Sequence, residues 1–323
     1  MSRRYGSLQV LAAAALWGTT GPVQVLANLH VAPAAVGAVR ILTGGLVLLA
    51  CTSARRPLTA GSRVYRALGK QYRLPLLAAS CATGVFQAAY FTSVSRTGAA
   101  LATAIVFGVA PVATGLAASL TRRAPLGYGW AASTACAIGG CALLLLPDHT
   151  GRTDALGVVL AIVAAACYAV YTVSAKRLAD DGAPMTAAVS ITLVTGGLML
   201  TPWLATAEPG LFTGRALVTV AWLGPVTTAA GYMLFVQGLR TVSAATAGTL
   251  SLAEPLVAAA AGIGLLHEHL APMAVAGCGL LAVGLAFAAL RPARGRGPSP
   301  GRPEPPLAGA VAGSAPDATA SAR

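Results

Sequence analysis

FVQGLRTVSAATAGTLSLAEP, residues 235–255, can be laid without a gap over FTSVSRTGAALATAIVFGVAP, residues 91–111. Phe91 meets Phe235, Arg96 meets Arg240, Thr97 meets Thr241, Ala100 meets Ala244 and Pro111 meets Pro255, all at a separation of 144. Alanine matches come easily in so alanine-rich a chain. Phe, Arg-Thr and Pro at one offset do not, and they point to an internal duplication. AAAALWGTTG in the first apolar run echoes VAAACYAVYT further on, with Trp17 and Tyr168 at the corresponding place.

The duplicated segments are embedded in apolar sequence. Hydrophobic residues make up 56% of the 323 and charged residues 10%, with a mean hydropathy of +0.73. Runs of helix length recur from end to end, as in membrane-spanning chains. The spacing predicts spans at 8–27, 33–52, 74–94, 99–119, 127–146, 155–175, 184–204, 216–237, 245–266 and 271–290. Short connections such as NLHVA and SRTGA make neighbouring spans antiparallel. Arg3 and Arg4 precede the first run as they would in a signal peptide, but the run is span-length and reads as a retained helix.

Ten spans place both termini on one side. With that side cytoplasmic, 18 of the 22 basic residues fall inside, and only Arg96, Arg152 and Arg215 outside, with Arg40 within a span. This is the positive-inside bias, and it accounts for the net charge of +13 without nucleic acid. The duplication divides the chain into five-helix halves, 1–150 and 151–292. Five is odd, so the second half enters the membrane in the opposite sense. The expected fold is therefore an all-α polytopic membrane protein of two inverted five-helix repeats with cytoplasmic termini. Inverted repeats recur in secondary transporters, with the solute site near their interface. Residues 293–323, rich in Pro, Gly, Ala and Arg, read as a disordered cytoplasmic tail. The loop 53–73 is long enough for a short basic surface helix.

Glu254 lies near the middle of the ninth span. An ionisable residue there costs roughly 2.5–3.5 kcal/mol and is a functional candidate by default. Such a carboxyl can exchange a proton as a cavity changes sides and so couple transport. Alternatively, it stays protonated or paired and ties helices together. Pro255 beside it lacks an amide donor and weakens the helix, as Pro22 and Pro111 do in their own spans. Arg40, about 10 Å into the second span, either snorkels, anchors helices through an ion pair or meets an anionic group. Glu268 sits at a span end and reads as a cap or an ion-pair partner. Its neighbours His267 and His269 read as solvated outer-face residues, not metal ligands.

Trp17 and Thr20, flanking Gly18, either line a solute path or serve helix packing. Gln87 and Tyr90 in the third span, Tyr168 and Tyr171 in the sixth, and Tyr232 and Gln237 in the eighth join them. A path so aromatic and poor in fixed charge suits a zwitterionic or neutral amphipathic solute, not a phosphorylated one. The six cysteines have no metal-ligand spacing and read as packing residues. Phosphate loops and spaced His/Asp/Cys clusters are missing, so neither an enzyme nor a cofactor is expected.

In ALWGTTGP, in Arg40 within AVRILTGGLVLLA, in Pro111, in LAEPLVAAAAGIGLLHEHL and in the small-residue run AVAGCGLLAVGLA, the chain resembles the drug/metabolite transporter superfamily. More narrowly, it resembles the ten-helix EamA-like members over residues 8–290. The resemblance implies an inner-membrane carrier that moves amino acids, related compounds or other small solutes, often outward, by alternating access. It implies a solute and possible proton partners within a lipid bilayer, in a monomer or homodimer. The glutamate expected after the fourth helix is replaced by the Arg122-Arg123 region, and Ala110 occupies the repeat position of Glu254. A passive facilitator is the alternative, and a membrane scaffold a more distant one.

Overall fold

A computed structural model describes residues 3–29, 31–54, 58–122, 126–146, 154–205 and 213–290, all helices and short turns. The tail 293–323 lies outside the described residues. The first half contains α1 (Arg3–Gly18), α2 (Thr20–Ala27), α3 (Pro33–Ala54), α4 (Leu58–Gln71), α5 (Arg73–Thr97), α6 (Ala99–Arg122) and α7 (Tyr128–Leu145). The second contains α8 (Ala155–Asp180), α9 (Met185–Leu198), α10 (Thr201–Ala205), α11 (Gly214–Ala221), a π-helical stretch (Trp222–Ala230), α12 (Gly231–Gly238), α13 (Ala244–Leu250), α14 (Ala253–Leu266) and α15 (Pro272–Leu290). Among the described residues, nine helical stretches are long and apolar enough to cross a membrane, and Met185–Leu198 is a shorter apolar helix.

Several spans are interrupted, and prolines explain where. Pro22 cannot donate to the carbonyl four residues back, and the first span breaks at Thr19, whose hydroxyl donates to Leu16 O at 2.7 Å. Pro255 likewise leaves the Ser251 carbonyl free, and the Glu254 amide takes it at 3.1 Å, tightening the turn between α13 and α14. The seventh span, expected at 184–204, ends early. Pro202 cannot bond Leu198 O, which accepts the Thr201 hydroxyl at 2.9 Å instead. At 14 residues α9 is about 21 Å long, short of a hydrocarbon core of about 30 Å. Pro225 sits in the π-helical stretch, where Thr228 Oγ1 donates to Leu223 O at 2.8 Å, five residues back. Pro111 differs: α6 runs through it unbroken.

Helices pair across the halves: α5 on α8, α1 on α12, α3 on α9, α3 on the π-helical stretch, α6 on α13 and α7 on α15. The sequence TGGL, at 43–46 and again at 195–198, marks one crossing. A Cβ on Gly45 would lie 2.9 Å from the Val194 backbone nitrogen, and one on Gly197 2.7 Å from the Leu42 side chain, so Gly45 admits the other helix's backbone and Gly197 makes room for a leucine. The longer loop carries α4, as expected. One side of it is docked and not merely superficial: Leu68 is buried, Tyr65 OH meets Ser190 Oγ at 3.4 Å, and Tyr72 OH donates to Asp181 O at 2.9 Å.

Residues Arg3, Arg66, Lys70, Lys176 and Arg240 mark a basic end of the molecule. There Lys176 Nζ donates to Leu239 O at 2.7 Å and pairs with Asp180 at 2.8 Å. At the opposite end Asp154 caps α8, accepting from the Gly157 amide at 2.9 Å, and pairs with Arg96 at 3.3 Å. The Gly157 N–H, together with Arg96, holds the Asp154 carboxyl below the usual aspartate range, against some desolvation.

Candidate functional site

The α13–α14 break sets the surroundings of Glu254. Every residue from Ala244 to Ala253 is buried, so this half of the span is wrapped by protein. Beyond it, only Pro255 and Gly262 in α14 are buried. Glu254 is the second residue of α14, at the boundary between the half enclosed by protein and the half less covered by it. The first span approaches at the same level through Gly18, where a Cβ would lie 2.6 Å from Glu254 O. Any larger residue would push the two broken spans apart.

An aromatic group stands beside this boundary. Trp17 meets Tyr232 edge-on with centroids at 5.3 Å, and Phe235 at 5.3 Å. Tyr171 meets Tyr232 edge-on at 5.4 Å, and Tyr168 lies 6.3 Å from Phe235. The T-shaped geometry places positive ring edges on negative faces and fixes the rings as a unit. Tyr168 OH donates to Ser251 Oγ at 2.5 Å, tying the aromatic group to the break itself.

On the other side, Arg40 Nη2 reaches Gln87 Oε1 at 3.5 Å, and Tyr90 OH meets Thr103 Oγ1 at 2.9 Å. Arg40 and Glu254 lie in each other's electrostatic range, but among the described residues they form no ion pair within 4.0 Å. Tyr90, Tyr168, Tyr232 and Cys141 also lie in range of the Glu254 charge. No described side chain hydrogen-bonds the Glu254 carboxyl.

Of the sequence-derived candidates, Trp17, Tyr168, Tyr171, Tyr232 and Glu254 come together, with Arg40, Gln87 and Tyr90 facing them. Thr20 is adjacent in α2 with a buried, unpartnered hydroxyl. Gln237 is elsewhere: it accepts from Gln9 Nε2 at 3.0 Å and joins α12 to α1 nearer the basic end. Glu268 is also remote. The chain turns back after α14 with His267 at φ 56°, and Glu268 folds over Gly262, to whose carbonyl its amide donates at 3.1 Å. Phe235 and Ser251 belong to the site but were not among the candidates. Phe235 already stood out in the repeat alignment, and Ser251 lies three residues before Glu254. Among the described residues no group of three or more His, Cys, Asp and Glu could hold a metal.

The EamA-like transporter family profile matches residues 4–146 and again 155–290. The uncharacterised transporter YwfM of Bacillus subtilis (strain 168) is 37% identical over 283 residues, covering 86% of this chain and 92% of that one. The threonine/homoserine exporter RhtA of Escherichia coli (strain K12) is 28% identical over 254 residues, 79% of each chain. A solved crystal structure superposes with a TM-score of 0.74 at 20% identity, over 88% of this chain and 96% of that one, and so shares the fold. With both stretches of the family profile matched and its helices paired as described, the chain is a multi-pass membrane protein that moves a small solute, and it belongs to the EamA-like transporter family.

Proposed function

We propose that the chain is a secondary exporter of a small amphipathic or amino-acid-like solute, working by alternating access in the cell's inner (plasma) membrane, with Glu254 as its proton-coupling group. The observation that carries this reading is the position of Glu254. Among the described residues its carboxyl has no ion-pair partner within 4.0 Å, and it sits where a wrapped half-span meets a less covered one, beside an aromatic group and a break in the helix. A carboxyl there meets water from whichever side is open. The cavity's change of side then changes the proton's side as well.

The helix pairing supports an inverted repeat, which would serve the transport cycle. If the first five spans exchange with the last five, the pairings third with sixth, first with eighth, second with seventh, fourth with ninth and fifth with tenth map onto themselves. The reciprocal TGGL crossing fits the same exchange. On this reading the halves are residues 1–150 and 151–292, both termini are cytoplasmic, and the basic end faces the cytoplasm. The solute class draws on the aromatic lining and on RhtA, whose name gives threonine and homoserine.

Solute-driven proton movement in proteoliposomes tests the proposal, with wild type and Glu254→Gln side by side. Wild type is expected to move protons with solute. Glu254→Gln should keep solute exchange only at higher solute concentration and lose at least about 100-fold of the coupled proton flux, as removal of an obligate proton carrier does. Equal proton flux in the two proteins would remove Glu254 from coupling and leave a facilitator or a carrier coupled otherwise.

A further inference from the structure

Buried polar atoms in folded proteins are nearly always hydrogen-bonded, so those left over need a reason. Around the aromatic group, Arg40 Nε, Gln87 Nε2, Trp17 Nε1 and Tyr171 OH are buried and without partners. Gln87 is only 2% exposed. Every one of these atoms can donate a hydrogen bond. Within electrostatic range of Arg40 stands Glu254, whose carboxyl can only accept when ionised and receives no hydrogen bond from the described side chains. The site thus has surplus buried donors, Arg40 on α3 and Gln87 on α5 with Trp17 on α1 and Tyr171 on α8, and on α14 a partly buried carboxyl that no described side chain hydrogen-bonds. Arg40 and Glu254 lie within electrostatic range of one another but, among the described residues, form no ion pair within 4.0 Å.

A simple cation would satisfy Glu254 and leave Arg40 alone, and a simple anion would do the reverse. A solute with acceptors at one end and donors at the other satisfies both. We infer that Arg40 and Gln87 receive the carboxylate of a zwitterionic α-amino acid while Glu254 receives its ammonium group. This rests on the transport reading above and specifies its solute.

The charges balance. Before loading, Glu254 carries a proton. On loading, that proton leaves to water on the open side, the carboxylate pairs with the ammonium, and Arg40 pairs with the solute carboxylate. The loaded site is then neutral overall, and each bound zwitterion has released one proton. The groups facing Glu254 during this exchange are Arg40 on α3, Tyr90 on α5, Cys141 on α7, Tyr168 on α8 and Tyr232 on α12. Only Arg40 among them is a cation, so binding should strengthen as pH rises and Glu254 gives up its proton.

The test measures binding to the purified full-length chain by thermal shift. The probes are the twenty proteinogenic amino acids, their carboxamides and their N-acetyl derivatives. At least one amino acid should stabilise the wild type, with both of its blocked forms bound roughly tenfold more weakly or worse, since each leaves buried groups unpaired. Arg40→Gln should lose discrimination against the carboxamide and keep it against the N-acetyl form; Glu254→Gln should do the opposite. Arg40→Lys serves if Arg40→Gln does not fold, and the blocked probes on wild type need no variant. Blocked forms that bind as well as their parent, or a panel with no amino acid bound, would overturn the clamp. The same panel, extended with neutral and cationic amphipaths, is run for uptake into proteoliposomes. Movement of a solute without zwitterion preference overturns the clamp and keeps the transporter. No movement of any compound overturns both.

Discussion

Residues 100–109 and 244–253 occupy matching places in the aligned segments, yet their surroundings differ. In the second segment all ten residues are buried; in the first only Ala102 and Val106 are. Phe235 is fully buried, whereas Phe91 is partly exposed. The second segment breaks just before its proline, and the first runs through its own. Two related sequences in two environments are what a carrier held at one end of its cycle should have. On the reading proposed here, the wrapped segment belongs to the closed basic side and the looser one to the open side, and transport exchanges the two environments.

Deleting the aligned phenylalanines is the strongest way to probe this difference. Phe235→Ala removes the hub of the aromatic group and should cost about 3–5 kcal/mol, whereas Phe91→Ala should cost roughly 1–2 kcal/mol. Thermal unfolding in detergent measures both, and equal losses would mean that the two surroundings are energetically alike. The TGGL crossing sharpens the symmetric side of the comparison. Gly45→Ala presses a methyl against the Val194 backbone and should cost about 1–3 kcal/mol, and Gly197→Ala, which meets the more yielding Leu42 side chain, somewhat less. A large loss at one with none at the other would contradict a reciprocal crossing.

The smallest effect lies at the Arg96 position, which aligns with Arg240. Asp154 is held below the ordinary aspartate range by the Gly157 amide and Arg96. Because the folded value is the depressed one, its stabilisation is present above the ordinary aspartate range near 3.9. It is lost as pH falls through the lower folded value. Wild type should therefore lose a little more stability than Asp154→Asn between about pH 5 and pH 3, and the two should run parallel above about pH 6. Parallel curves throughout would show that the cap and ion pair contribute nothing.

The all-helical membrane fold was legible because apolar runs of span length admit few other structures in lipid. The breaks were legible only in part. Pro22 and Pro255 mark two of them, but Pro111 looks the same in sequence and leaves α6 intact, since neighbouring helices and not the proline alone decide whether a span yields. The short seventh span followed from Pro202, which the hydropathy of the run conceals. Glu254, Trp17 and Tyr168 stood out as polar or aromatic groups in apolar helices. Gln237 looked equivalent to them, yet its register turns it toward Gln9. Ser251 passed unnoticed because a serine in a span carries no signal until its partner, Tyr168, is known. TGGL was present twice, but its meaning depends on the two copies crossing each other.

The exchange of environments can be tested at two positions in a cysteine-free background. Ala247 lies in the wrapped α13, and Ala258 is one turn beyond Glu254 on α14. Each would be replaced by cysteine and treated from either side of the membrane with an impermeant maleimide, with and without transported solute. The account predicts that Ala258→Cys labels and Ala247→Cys does not while the far end is open, and that conditions favouring the opposite state reverse the pattern. Labelling of Ala258→Cys alone, from one side under every condition, would contradict alternating access.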